Sequence, residues 1–172
     1  KPQPNLEPRK TTKTERKPMN EELKAQTMMI VENIFYALID KMEETIFESW
    51  DEFEPFTNPV YSWVDSCGGT STTRVVVAME KDTGDALARQ MYMLSETDPV
   101  DPESLEDACG ELANVVGGNL KAVLDDAGEL TIPQVAEKMP WVAENPIVEL
   151  KLNWKDNNLV ISISDLADMP AE

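Results

Sequence analysis

Two stretches near the C-terminus constrain the fold most. Residues 147–154 alternate apolar and polar side chains, Asp156-Asn157-Asn158 offers a turn, and residues 159–164 alternate again. A period of two sends successive side chains to opposite faces of a strand, so the pattern specifies a hairpin with one apolar face. A lone two-stranded ribbon is marginal in water, so other parts of the chain must cover that face. Residues 60–65 and 72–79 read as two more strands, joined through Gly68 and Gly69. Leu23, Thr27, Ile30, Ile34, Leu38, Met42, Ile46 and Trp50 recur at helical spacing. They predict one long helix, capped by Asn20, with Glu21 and Glu22 in its first turn and Pro55 and Pro59 as its stop. Residues 83–94 predict a second helix. Ser104 is the expected cap of a third, with Glu106 and Asp107 in its first turn. That helix should run to about Leu124, although Gly117 and Gly118 weaken its middle. Residues 129–132 make a short strand. The order is helix, hairpin, two helices, strands: an α+β fold with helices packed on one face of a mostly antiparallel sheet.

A chain of 172 residues with 41% apolar side chains holds one domain of this kind and little else. Residues 1–18 differ in composition, with six basic and two acidic residues and four of the twelve prolines. They read as a disordered basic tail or linker ahead of a domain at 19–172. The first residue is not Met, which fits a domain excised from a longer protein. The whole chain has 33 acidic and 15 basic residues, a net charge of −18. Without the leader, 31 and 9 remain, a net of −22. Such a surface repels nucleic acid and anionic membrane and suits a partner with a basic rim. There is no histidine, which excludes Ser-His-Asp and Cys-His nucleophilic sites and histidine metal ligands. Cys67 and Cys109 make no disulfide framework and are expected as buried, reduced thiols. No run approaches the roughly 20 apolar residues of a membrane span, and no signal peptide is evident, so the expectation is a cytoplasmic protein.

The segment most informative about chemistry is Asp107-Ala-Cys-Gly-Glu111-Leu-Ala-Asn114-Val-Val-Gly-Gly118-Asn119. Asp107, Glu111, Asn114 and Gly118 stand at i, i+4, i+7 and i+11 and share one face of a helix. Ala108, Leu112, Val115 and Val116 fall on other faces, free to pack on the sheet. The stripe holds two carboxylates and a carboxamide with no basic residue to pair with them, and glycines border it. On spacing alone, a solvated helix face explains it as simply as a functional site. Other candidates are weaker. Ser66-Cys67-Gly68-Gly69-Thr70 lacks a P-loop lysine and reads as a turn. Asp98, Asp101, Glu103 and Glu106 match no calcium loop and read as loop charges and helix-dipole partners.

In register, Asp107, Glu111 and Asn114 resemble the signature of the CheX/CheC chemotaxis phosphatases: Asp or Ser, then Glu four residues on, Asn three further, and a later Pro. Gly118-Asn119 is similar to the single-site CheX branch, and Thr131-Ile132-Pro133 to a Ser/Thr-x-Pro stretch of the family. Pro133 is nearer Asn114 than the family spacing, and the first helix, with Glu32 and Asn33, carries no second copy of the motif. The resemblance implies hydrolysis of the phosphoaspartate of a CheY-like response regulator. The regulator would supply the phosphoaspartate, Mg²⁺ and a lysine; this chain would need no cofactor or metal of its own. Asn114 would orient the attacking water, and Glu111 would pair with the regulator's lysine. Asp107, Gly118, Asn119 and Pro133 would support or dock. A carboxamide suits the task, since it donates and accepts hydrogen bonds without adding negative charge near phosphate. The CheX branch also implies a homodimer formed through sheet edges, for which residues 147–164 are the candidates. The alternative is a non-catalytic module of the same fold, tethered in a larger signalling protein. It would be favoured by a buried Asn114. A small-ligand sensor is a third reading, but no convergent polar cluster speaks for it.

Overall fold

The C-terminal hairpin forms as its alternation requires. In a computed structural model describing residues 21–42, 45–69, 72–124 and 128–172, β6 (Val148–Trp154) pairs with β7 (Asn157–Asp165) so that Leu150 faces Ile161 and Leu152 faces Leu159. The turn is Lys155-Asp156, one residue earlier than expected. Both residues are left-handed (φ 49° and 64°), the two-residue geometry that matches strand twist. β7 pairs on its other side with β3 (Thr73–Glu80), and β3 with β2 (Pro59–Cys67). The short strands β4 (Glu129–Leu130) and β5 (Gln134–Ala136) both pair with β2. β1 (Ile46–Glu48) closes the far edge against β6. The order is β1-β6-β7-β3-β2-β4, with β5 beside β2 and every pairing antiparallel.

Register aligns one apolar face across the four long strands. Val60 and Val64, Val75, Val77 and Met79, Leu159, Ile161 and Ile163, and Val148, Leu150 and Leu152 are all buried. Three helices cover that face: α1 (Glu21–Ile34), α2 (Lys81–Met91) and α3 (Pro102–Val123). The opposite face is crossed by the segment between β5 and β6. Arg74 donates to the Trp141 carbonyl there, and the Ala143 N–H donates to Ser164 Oγ at 3.1 Å. Of strands 147–154 and 159–164, the expected edges for a dimer contact, the second lies inside the sheet, whereas residues 148–150 of the first have a strand partner on one side only among the described residues. β7 is paired along both sides, and β1 covers the C-terminal half of β6.

The first helix is shorter than its apolar spacing suggests. α1 continues as one π-helical stretch, Phe35–Asp40, and stops at Lys41, which is left-handed at φ 53°. The Asp40 side chain is fully buried and accepts the Trp154 indole N–H at 3.0 Å and Lys155 Nζ at 3.3 Å, tying the chain reversal to the hairpin. Ile46 then pairs with Trp154 in β1 instead of extending a helix. Met42 and Trp50, counted in the helical spacing, are exposed, Trp50 to 88%. Cross-strand pairing thus overrides a local helical period. Asn20, Thr70 and the leader at 1–18 lie outside the described residues. Cys67, expected inside, is exposed because it ends β2 on the face turned away from the helices, whereas Cys109 is buried. Among the described residues no helix is long and apolar enough to cross a membrane.

Candidate active site on helix α3

α3 begins at Asp101, not Ser104. Asp101 Oδ1 accepts the Ser104 N–H at 2.7 Å and Pro102 opens the first turn. The Ser104 N–H also holds the Asp101 carboxyl below its usual range. Leu105, Ala108, Cys109, Leu112, Ala113, Val116 and Leu120 are buried. The opposite face carries the expected stripe: Asp107, Glu111 and Gly118 are exposed and Asn114 is half-buried. Asp107, Glu111 and Asn114 make no hydrogen bond or ion pair with the described residues. Their polar atoms are free for an incoming group.

Glycines seat this helix on its supports. A Cβ on Gly117 would stand 2.5 Å from Val64 Cγ2, so only glycine lets α3 lie this close to β2. At Gly110 the nearest atom to such a Cβ is Pro133 Cβ at 3.4 Å. Pro133 therefore rests against α3 beside Glu111 and one turn before Asn114. Its segment is pinned to β2 in two ways: the Thr131 N–H donates to the Asp65 carbonyl at 2.8 Å, and the Asp65 N–H donates to Thr131 Oγ1 at 3.0 Å.

Not every candidate joins the stripe. Asn119 is exposed, but its Nδ2 donates to the Val115 carbonyl at 2.8 Å, folding the side chain back on its own helix. Asp98 and Asp101 are local caps: Asp98 Oδ2 accepts the Ser95 N–H at 2.7 Å. Among the described residues, no group of three or more His, Cys, Asp or Glu is placed to share a metal ion. One neighbour was missed in the sequence. Tyr92, just beyond α2, has its hydroxyl pKa pushed up by burial and further by the Asp107 and Glu111 carboxylates. Its place depends on how α2 crosses α3, which no local pattern encodes.

The site thus sits on the longest of three helices covering one face of an antiparallel sheet, with Glu111 exposed and Asn114 half-buried. A family model described as chemotaxis phosphatase CheX matches residues 62–147, half of the chain. The chain belongs to the CheX family. Solved structures repeat the fold at low identity. The chemotaxis protein CheX of Vibrio vulnificus is 14% identical with a TM-score of 0.62, over 84% of this chain and 96% of that one. The chemotaxis protein CheX of Desulfovibrio desulfuricans is 15% identical with a TM-score of 0.61, over 84% and 99%. A CheX–CheY complex with BeF₃ and Mg²⁺ from Borrelia burgdorferi gives 15% and 0.61, over 83% and 97%. No curated protein matches the sequence.

Proposed function

We propose that this chain is a phosphatase for the phosphoaspartate of a CheY-type response regulator. One observation carries the reading: Glu111 and Asn114 are presented together on α3 with no partner of their own among the described residues. Membership of the CheX family supports it, as does the Borrelia burgdorferi complex of a similarly folded protein with CheY. The stripe would dock on the regulator's phosphorylation site, which brings its own Mg²⁺ and lysine. Asn114 would hold a water in line with phosphorus by donating and accepting hydrogen bonds. Water adds to phosphorus, the bond from phosphorus to the aspartyl oxygen breaks, and inorganic phosphate leaves with the carboxylate regenerated. Glu111 would pair with the lysine and fix the orientation of the docked helix. No covalent intermediate forms on this chain.

The test is the decay of a phosphorylated CheY-type regulator with and without the protein. Wild type should accelerate decay. Asn114→Ala should lose about 10²-fold of that acceleration, as expected when one preorganised polar group is removed from a charge-developing site. Glu111→Ala should weaken binding as well. Glu111 is exposed, Asn114 is half-buried, and neither side chain has a partner among the described residues, so neither variant should shift the unfolding midpoint by more than a small amount. Acceleration that survives Asn114→Ala overturns the assignment. Binding without acceleration by wild type makes the chain a docking module of the same fold.

A further inference from the structure

β4 and β5 pair with the same strand, but out of phase. Leu130 stands opposite Ser66, whereas Gln134 stands opposite Trp63. Four steps along this segment therefore match three along β2, and the extra residue makes Thr131-Ile132-Pro133 a bulge. The bulge decides what packs on α3. Leu130 and Val135 are five residues apart, so in an unbroken strand they would point to opposite faces. With the extra residue both reach α3. A Cβ on Gly117 would meet Leu130 Cδ2 at 3.7 Å, and a Cβ on Gly110 would meet Val135 Cγ2 at 3.6 Å, next to Pro133. Gly110 lies one turn before Asn114, and Gly117 lies almost one turn after it. The two contacts are about 10 Å apart along the helix axis. The bulged segment thus supports α3 on either side of Asn114.

Asp65 sets the phase of the bulge. Its carbonyl and its N–H both bond to Thr131, at 2.8 Å to the N–H and 3.0 Å to Oγ1. Its carboxylate lies on the other face of the sheet and accepts Arg74 Nε and Nη2 at 2.7 and 2.8 Å. That is a bidentate pair between directly opposed residues of β2 and β3. The two side chains are only 15% and 18% exposed, so water competes little for either. Arg74 Nη1 also donates to the Trp141 carbonyl at 3.4 Å, so one guanidinium holds Asp65 and the chain beyond β5. A slip of one residue in the bulge would turn Leu130 or Val135 away from α3. Resting on the phosphatase reading above, we propose that Thr131 and Arg74 are positioning residues for Asn114. By fastening the bulge to Asp65 they fix the height and rotation of the α3 turn that carries the carboxamide, and so its aim at the attacking water. Arg74 lies on the sheet face away from α3 and acts on the site only through Asp65.

The experiment measures kcat and KM for dephosphorylation of a CheY-type regulator, with urea midpoints alongside. It compares wild type, Thr131→Val, Thr131→Ser, Arg74→Gln and the double variant Arg74→Gln/Thr131→Val. Val keeps the branched shape and strand preference of Thr but cannot accept the Asp65 N–H. Thr131→Val should lower kcat about tenfold, part of the roughly 10²-fold that a misplacement of about 1 Å costs, with KM within about twofold. Thr131→Ser keeps the hydroxyl and should recover most of that loss. Arg74→Gln should lower kcat by a similar factor. The double variant should lose no more than the worse single variant, because both act through Asp65. A merely structural role would move the urea midpoint and leave kcat of the folded fraction unchanged. An unchanged kcat in Thr131→Val, or losses that multiply in the double variant, overturns the positioning role and leaves the phosphatase intact. If wild type hydrolyses nothing, the phosphatase reading fails, and NMR relaxation of the Asn114 side-chain amide decides the proposal; its signal is the one missing from the Asn114→Ala spectrum. An ordered amide that loosens in Thr131→Val upholds the seating, and equal mobility in the two proteins overturns it.

Discussion

Gly117 and Gly118 are neighbours in one helix, yet alanine should act on them with opposite sign. In a helix interior either replacement gains about 1 kcal/mol from backbone propensity, partly through the unfolded chain. At Gly118 nothing opposes that gain, since the nearest atom to the new Cβ is Leu130 Cδ1 at 3.8 Å, an ordinary contact. At Gly117 the Cβ arrives 2.5 Å from Val64 Cγ2. Val64 is fully buried and β-branched in a paired strand, so its side chain cannot swing away. α3 must lift by about 1 Å, an overpacking that costs about 1–3 kcal/mol. Net of propensity, Gly117→Ala should destabilise by about 1 kcal/mol while Gly118→Ala stabilises by about the same. The gap of about 2 kcal/mol corresponds to roughly 4–8 °C in Tm for a chain of this size. Urea unfolding followed by far-UV circular dichroism reads both, with equal slopes expected. In a Val64→Ala background the Gly117→Ala penalty should vanish, because the clashing methyl is gone. Equal effects at the two glycines, or a Gly117→Ala penalty that persists without the Val64 methyls, would refute the close-seating argument.

Two further predictions concern titratable groups. Burial pushes the Asp40 carboxyl up, but hydrogen bonds from Trp154, Thr45 and Lys155 and the Lys155 charge outweigh it and hold the pKa below the ordinary 3.8. A lowered folded pKa gives stability that is present above about pH 4 and lost as pH falls through the folded value. Asp40→Asn should therefore cost about 1–3 kcal/mol at pH 7, with the gap to wild type shrinking below pH 4. A gap constant from pH 7 to 3 would contradict it. Burial, with a contribution from Asp85, pushes the Cys109 thiol up to about 12, while Cys67 is exposed. A disulfide reagent at pH 8 should modify one thiol in the native protein and the second only on unfolding; fast modification of both would mean that α3 is not seated as described.

Local pattern carried much of this fold and failed in specific places. The hairpins β2–β3 and β6–β7 were legible because alternation and a turn act together over neighbouring residues. The long first helix failed because Ile46 satisfies two periods at once, and the deciding contact, its pairing with Trp154, lies more than a hundred residues away in sequence. The α3 cap slipped by three residues because Asp101 and Ser104 are both good caps and they bond to each other; the Pro102 signal at the first helical position favours Asp101. That Asp107, Glu111 and Asn114 share one helix face was legible from spacing; their standing as a candidate site came only from the resemblance. Pro133 was named through the resemblance, but its seat against Gly110 was not legible, since it depends on the pinning of the β4–β5 segment to β2; Tyr92 was not named at all.

The glycines link fold and chemistry more tightly than the polar residues do. Leu105 and Cys109 of α3 meet α2 at Gly84, where a Cβ would stand 2.8 Å from Leu105 Cδ1 and 3.3 Å from Cys109 Sγ. Pro133 meets α3 at Gly110, and Val64 of β2 meets it at Gly117. At Gly84 and Gly117 a missing side chain lets α3 and its support lie closer than any other residue would allow, whereas at Gly110 a Cβ would make an ordinary contact. These contacts fix how high the stripe stands above the sheet. Displacing a positioned water by about 1 Å is enough to cost about 10²-fold in rate. A substitution that never touches solvent, such as Gly117→Ala, should therefore depress dephosphorylation far more than its effect on stability explains.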